Sequence, residues 1–191
     1  MNFSEFTNEI IRLKQSNQFQ LALEFFKKNK EQFTKEQIKL NNYLMANIIT
    51  CLRKTNQAKF VNHFLNTYNI DINEQTNLQI LTQYGWVIYD LLKIKLEVNH
   101  YNKVEILELL RTPIYLLSLN ISDFTLSIIS HIFGLVLRKE KDKQNEDYKF
   151  LDDFCNLFNP NILSTEVSTI EQKSKSVELA SDKEKWYATK S

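Results

Sequence analysis

The residues able to do chemistry are few and scattered. His63, His100 and His131 stand far apart, with no HExxH pattern and no His or Cys partner at metal-ligand spacing, so each reads as a surface or core histidine. Gly85 and Gly134, the two glycines, both fall in helical stretches. A phosphate-cradling loop and a strained nucleophile elbow both need glycine at a turn, so neither is expected. Gly85 beside Trp86 reads as a close approach of crossing helices, with Trp86 in the core. Asp152-Asp153 is a pair of acids in sequence only, because neighbouring helical positions point about 100° apart and cannot flank one substrate atom. Cys51 and Cys155 lie outside any CxxC or zinc spacing, in apolar stretches where reduced, buried thiols act as small hydrophobes. The expectation is a chain that is no enzyme, with no catalytic residue, no metal site and no cofactor.

What positions these residues must be helical. Hydrophobic residues make up 43% and aromatics 12% of the 191 residues, enough for burial to offset ordering entropy over most of the length. Only 2 Gly and 2 Pro occur, where an average chain would hold roughly 7% and 5%, and sheets with tight hairpins depend on both. The 24 basic against 23 acidic residues leave a formal charge of +1, too small to steer the chain toward phosphate backbones or anionic lipid. No apolar run reaches the roughly 18 residues of a membrane span, and Glu5 comes too early for a secretory leader. A cytoplasmic protein with no membrane contact is expected.

Apolar spacing and capping pairs set the elements. Asn2 with Glu5 forms a capping box before Phe3, Phe6, Ile10 and Leu13, predicting a helix to Gln15. A break at Ser16-Asn17-Gln18 leads to a second face of Phe19, Ala22, Leu23 and Phe26, closing a hairpin. Thr34 with Gln37 opens a helix bearing Leu40, Tyr43, Leu44, Ile48 and Leu52; Lys54-Thr55-Asn56 turns it into Phe60, Val61, Phe64, Leu65 and Tyr68. Asp71 and Glu74 are expected to cap a third pair, whose first helix, to Leu96, is apolar on nearly every side and so belongs between neighbours. Asn99-His100-Tyr101 breaks it. Tyr101, Val104, Leu107 and Leu110 give a short return helix stopping before Thr112-Pro113, where proline suits a new first turn. Ser122 to Arg138 carries Phe124, Leu126, Ile128, Ile129, Ile132, Phe133, Leu135 and Val136 as a largely buried helix. The charge run Lys139 to Lys143 reads as solvated. Asp147 to Phe158 returns, ended by Asn159-Pro160. The expected division is 1–163 as a helical-repeat domain, 164–180 as a polar linker or marginal helix, and 181–191 as the start of a further helix. There Ser181 and Glu184 precede Trp186-Tyr187, which leaves open a longer repeat protein.

The string Asn17-Gln18-Phe19-Gln20-Leu21-Ala22-Leu23-Glu24-Phe25-Phe26, with Phe6 before it, resembles the centre of a tetratricopeptide repeat. There a turn pair, an aromatic, a small alanine and a later aromatic lock helix A to helix B. Val61 and Val104 align with Ala22 at intervals longer than the roughly 34 residues of that unit, so the repeats are divergent. The resemblance implies an all-α fold, a right-handed superhelical array of antiparallel helix hairpins (a tetratricopeptide-like α-solenoid) with about four hairpins and the start of a fifth. More faintly, Tyr84-Gly85-Trp86-Val87-Ile88-Tyr89 with Lys185-Trp186-Tyr187 looks like the repeat proteins that accompany some bacterial defence systems.

Such arrays bind partners on an inner wall lined by the first helix of each pair. The resemblance therefore implies a protein-interaction scaffold or adaptor gripping a peptide or protein partner. On helix one the stripe opposite the core carries Ser4, Thr7, Asn8, Lys14 and Gln15, the expected partner-binding residues. The alternative is a helical-repeat nucleic-acid-binding accessory protein of a defence system. It is disfavoured by Arg12, Arg53, Arg111 and Arg138 being the only arginines, without interleaved exposed aromatics.

Overall fold

The helix starts fall where local side chains can satisfy the first free backbone N–H groups. The structure, a computed structural model, describes residues 1–97, 101–141 and 148–157, and among them regular structure is entirely helical. The expected break at Asn99-His100, the end at Asn159-Pro160, the 164–180 linker and the helix start at Ser181 lie outside the described residues. The chain divides into two units, Met1–Leu91 and from Leu92 onward.

In the first unit, α1 (Phe3–Gln15) and α2 (Phe19–Asn29) form the expected hairpin. The Asn2 side chain accepts from the Glu5 N–H at 2.9 Å and the Glu5 carboxylate accepts from the Asn2 N–H at 3.0 Å, the reciprocal capping box. Phe6, Ile10 and Leu13 are buried against Ala22, Leu23 and Phe26. The Phe6 ring is the hub, with Phe33 at 4.8 Å, Phe26 at 5.9 Å, Phe25 at 6.0 Å and Phe3 at 6.1 Å between ring centroids.

The helix expected to run on from Thr34 is two helices. The Thr34–Gln37 capping box is present, but α3 stops after six residues (Lys35–Leu40) and α4 restarts as Asn42–Lys54. Asn41 leaves helical geometry and its side chain accepts from the Leu44 N–H at 2.9 Å, the competition with the backbone that disfavours Asn inside helices. Leu40, at 76% exposure, and Tyr43 thereby leave the core assigned to them. A 3-10 turn, Ala58–Phe60, leads into α5 (Val61–Thr67). Here α4 lies against both α1 and α2, and Phe26 meets Phe64 and Tyr68 edge-on. The helix does not open at Asp71 and Glu74 as expected, since 71–77 is loop and α6 begins at Leu78 (Leu78–Leu96). Asn77 takes the capping role, accepting from the Gln79 N–H at 2.9 Å.

Three helix ends share one device. Asn17, Asn56 and Asn69 have φ of 57°, 58° and 50°, each one residue past a helix C-cap. After α1, the Gln18 N–H reaches Leu13 O and the Asn17 N–H reaches Lys14 O. After α4, Gln57 reaches Leu52 and Asn56 reaches Arg53; after α5, Ile70 reaches Leu65 and Asn69 reaches Asn66. These are paired 6→1 and 5→2 Schellman bonds. Asparagine supplies the left-handed residue for which most chains use glycine, consistent with a composition holding only two glycines.

In the second unit, α7 (Lys103–Leu119), α8 (Asp123–Lys141) and α9 (Tyr148–Cys155) share a core of Ile106, Leu110, Ile114, Leu117, Ile128, Ile132, Phe150 and Phe154. The expected stop before Pro113 does not occur, and α7 runs through the proline. An interior proline costs a helix about 3 kcal/mol. Burial of Pro113 with Ile114, Leu116 and Leu117 offsets it. Val104 is 62% exposed, unlike Ala22 and Val61, which are fully buried, so the third alignment of the repeat unit fails at that position. Phe124, placed in the α8 core by its spacing, is 73% exposed.

Replacing Asn56 with Gly is expected to keep or raise stability, whereas Asn56→Val is expected to lose about 1–2 kcal/mol through the left-handed backbone. Urea unfolding followed by circular dichroism measures both, and equal midpoints for the two variants would contradict the assignment.

Candidate functional site

The polar face of α1 divides into an open and a covered half. Ser4, Asn8 and Gln15 are exposed, and the Asn8 amide donates to the Ser4 hydroxyl at 3.5 Å. Lys14 is half-buried. Thr7, expected on this open face, is buried, and its hydroxyl has no hydrogen-bond partner among the described residues. The cause is a neighbour that the spacing within one hairpin does not reveal. Thr7 and Lys14 lie about 20° apart in helical phase, and Lys14 is close enough to Cys51 of α4 for its charge to act on that thiol. This flank of α1 therefore borders α4. Across the exposed side Arg12 grips Glu9 with two hydrogen bonds of 2.6 and 2.7 Å, holding the Glu9 carboxyl below its ordinary range.

A second polar line, missed in the sequence, joins α4 to α6. The Arg53 Nε donates to Asp90 Oδ2 at 2.8 Å, with the arginine side chain only 15% exposed. Its guanidinium carbon sits 5.5 Å from the Trp86 ring centroid, a cation–π contact strengthened by partial burial. The Thr50 hydroxyl lies 2.9 Å from Gln83 Oε1. Trp86, expected in the core, is instead half-buried beneath an arginine, and its ring meets Tyr89 edge-on at 5.7 Å. Gly85 beside it is buried. Residues 37 apart in sequence carry no local signal of an ion pair, so only the helix packing reveals this line.

The second unit holds a buried charge where a solvated run was expected. Glu140 is 1% exposed. It accepts from Lys103 Nζ at 3.1 Å and from the Tyr101 hydroxyl, and the Lys103 ammonium lies 5.1 Å from the Phe150 ring centroid. Burial, and then the neighbouring carboxylate, push the Tyr101 hydroxyl well above its ordinary pKa. Such a closed cluster fixes the Tyr101–Lys103 segment to α8 without exposing a carboxylate to a substrate.

Both cysteines are free thiols. Burial raises Cys51 to about 11 and shifts Cys155 upward as well, which lowers the thiolate fraction that nucleophilic chemistry needs. His131 Nδ1 lies 2.7 Å from the Ser127 carbonyl on its own helix. Among the described residues no group of three His, Cys, Asp or Glu side chains is placed to hold a metal ion, and no helix is long and apolar enough to cross a membrane. No family model, curated protein or solved structure matches this chain.

Two stability measurements follow from these clusters. Thr7→Val, which removes an unpartnered buried hydroxyl, is expected to raise stability by about 1 kcal/mol in urea unfolding; a loss would mean that the hydroxyl has a partner. Lys103→Met removes the cation paired with the buried Glu140 carboxylate and is expected to cost about 3 kcal/mol. Glu140→Gln leaves Lys103 partly in water and should cost about 1 kcal/mol. The reverse order would show that the carboxylate is not the buried member.

Proposed function

We propose that this chain is a non-catalytic scaffold or adaptor of tetratricopeptide-like type, binding an extended peptide or protein partner along the polar face of its first helices. The observation that supports it most is the seating of α4 against both α1 and α2. In stacked hairpin arrays the next pair likewise enters against both helices of the one before. Covering one flank of α1 leaves Ser4, Asn8 and Gln15 open beside half-buried Lys14, a row of hydrogen-bonding groups with one cation, suited to the backbone and carboxylates of an extended partner. In this reading the hairpins continue as a right-handed superhelix, and the chain works in the cytoplasm, where free thiols such as Cys51 and Cys155 persist.

Two of the four arginines weigh against the nucleic-acid reading. Arg12 is engaged by Glu9 and Arg53 by Asp90, and phosphate contacts would have to displace those carboxylates.

The double variant Asn8→Ala/Lys14→Ala is expected to keep helicity and melting temperature while recovering at least about tenfold less partner from extracts of the source cells, the loss of roughly one charged contact. Undiminished recovery, or a variant that unfolds, would remove the α1 face as the site. Recovery of nucleic acid that falls steeply with added salt would favour the alternative.

A further inference from the structure

The second unit contains a cleft used by neither the proposed interaction nor the Glu140 cluster. Leu107, Arg111 and Tyr115 recur every four residues on α7, which sets them along one stripe of the helix. Facing them are Asp153 on α9 and Asn156 and Leu157 in the turn after it, and together they line a volume of 530 Å³. That volume could admit a small ligand, and the cleft is open, with Arg111, Tyr115, Asp153 and Asn156 exposed and Leu107 and Leu157 half-buried, so a ligand there keeps one side in water.

The charges select the ligand. Among the described residues no ion pair engages Arg111 or Asp153, so the guanidinium on one wall and the carboxylate on the other border the same space without meeting. A simple anion would suit the arginine fork but face Asp153, and a simple amine would suit Asp153 but face Arg111. A molecule carrying both charges satisfies both walls, and the fork of Arg111 matches a carboxylate in shape as well as charge. Leu107 and Leu157 offer apolar surface beside the two charges.

We propose that this cleft binds a small zwitterion of the amino-acid or dipeptide class bearing an apolar side chain. Its carboxylate meets Arg111, its ammonium meets Asp153, and its side chain lies against Leu107 and Leu157. The proposal stands apart from the peptide-partner reading, which concerns the first unit.

The test titrates the full ¹⁵N-labelled chain with L-leucine, L-leucyl-L-leucine, 4-methylpentanoate and 3-methylbutylamine, following amide shifts of the residues lining the cleft. At least one zwitterion is expected to give saturable shifts there, with both single-charge analogues at least about tenfold weaker. Leucine binding more tightly than the dipeptide identifies a free amino acid as the ligand, and the reverse order identifies a dipeptide. Arg111→Gln and Asp153→Asn should each weaken the zwitterion about tenfold or more at unchanged circular dichroism. Arg111→Lys, which keeps the charge and loses the fork, should fall between wild type and Arg111→Gln. 4-Methylpentanoate should bind Asp153→Asn more tightly than the wild type. Absence of saturable shifts in the cleft with either zwitterion, or binding undiminished in both Arg111→Gln and Asp153→Asn, would overturn the proposal.

Discussion

The first unit depends on a helix that has almost no face to offer water. Eight residues of α4 are buried, six of them in the unbroken run Leu44–Ile49, and six successive residues sweep about 500° around a helix axis. Such a rod leaves only a narrow line to water, at Tyr43, Thr50 and Lys54. It needs cover on its other sides, and α1 and α2 supply part of that cover. The burial of Thr7, the half-burial of Lys14 and the line from Arg53 to Asp90 are all consequences of satisfying α4. At about 25 cal/mol per Å² of apolar area removed from water, this demand outweighs an unsatisfied hydroxyl at Thr7 or the partial desolvation of Arg53.

The two units use charge in the same way. Arg53 is half-buried with Asp90 and Trp86, and Lys103 with Glu140, Tyr101 and Phe150. In each a cation is set between a carboxylate and an aromatic ring, and its aliphatic stem can rest on apolar neighbours. Pairs of this kind contribute little net stability over apolar residues of equal volume, yet removing one partner is costly. They fix which helix faces which more than they add to total stability.

What could be read from the sequence was what is decided within one helical turn or one hairpin. The capping boxes at Asn2 and Thr34, the break at Ser16-Asn17-Gln18 and the Phe6-centred core are set by residues three to four apart or by a short turn, and all are present. At Asn41 the deciding signal was local but of another kind, a side chain that caps Leu44 while the apolar period runs straight through it. Where the outcome depended on a distant neighbour, local spacing misled. Pro113 sits inside α7, where burial with Ile114, Leu116 and Leu117 offsets the lost hydrogen bond. Glu140 is buried within a stretch that charge alone marks as solvated. For the candidate face on α1, Ser4, Asn8 and Gln15 lie open as their phase implies, while Thr7 was displaced by α4, which no reading of helix one alone contains. The cleft between α7 and α9 could not be foreseen, because Arg111 and Asp153 are 42 positions apart.

The asparagine-terminated helix ends bear on how the chain finds its structure as well as on how it holds it. Glycine at those joints would relieve backbone strain in the folded chain but leave the unfolded chain freer, whereas asparagine reaches the left-handed region with fewer alternatives to give up. A hairpin whose hinge is already biased, and whose contacts join residues close in sequence, has a short loop to close before its apolar stripes meet. Such topologies belong to the fast end of folding rates. The joints at Asn17, Asn56 and Asn69 thus favour early, local assembly of the first unit, with each helix pair formed before the next must dock upon it.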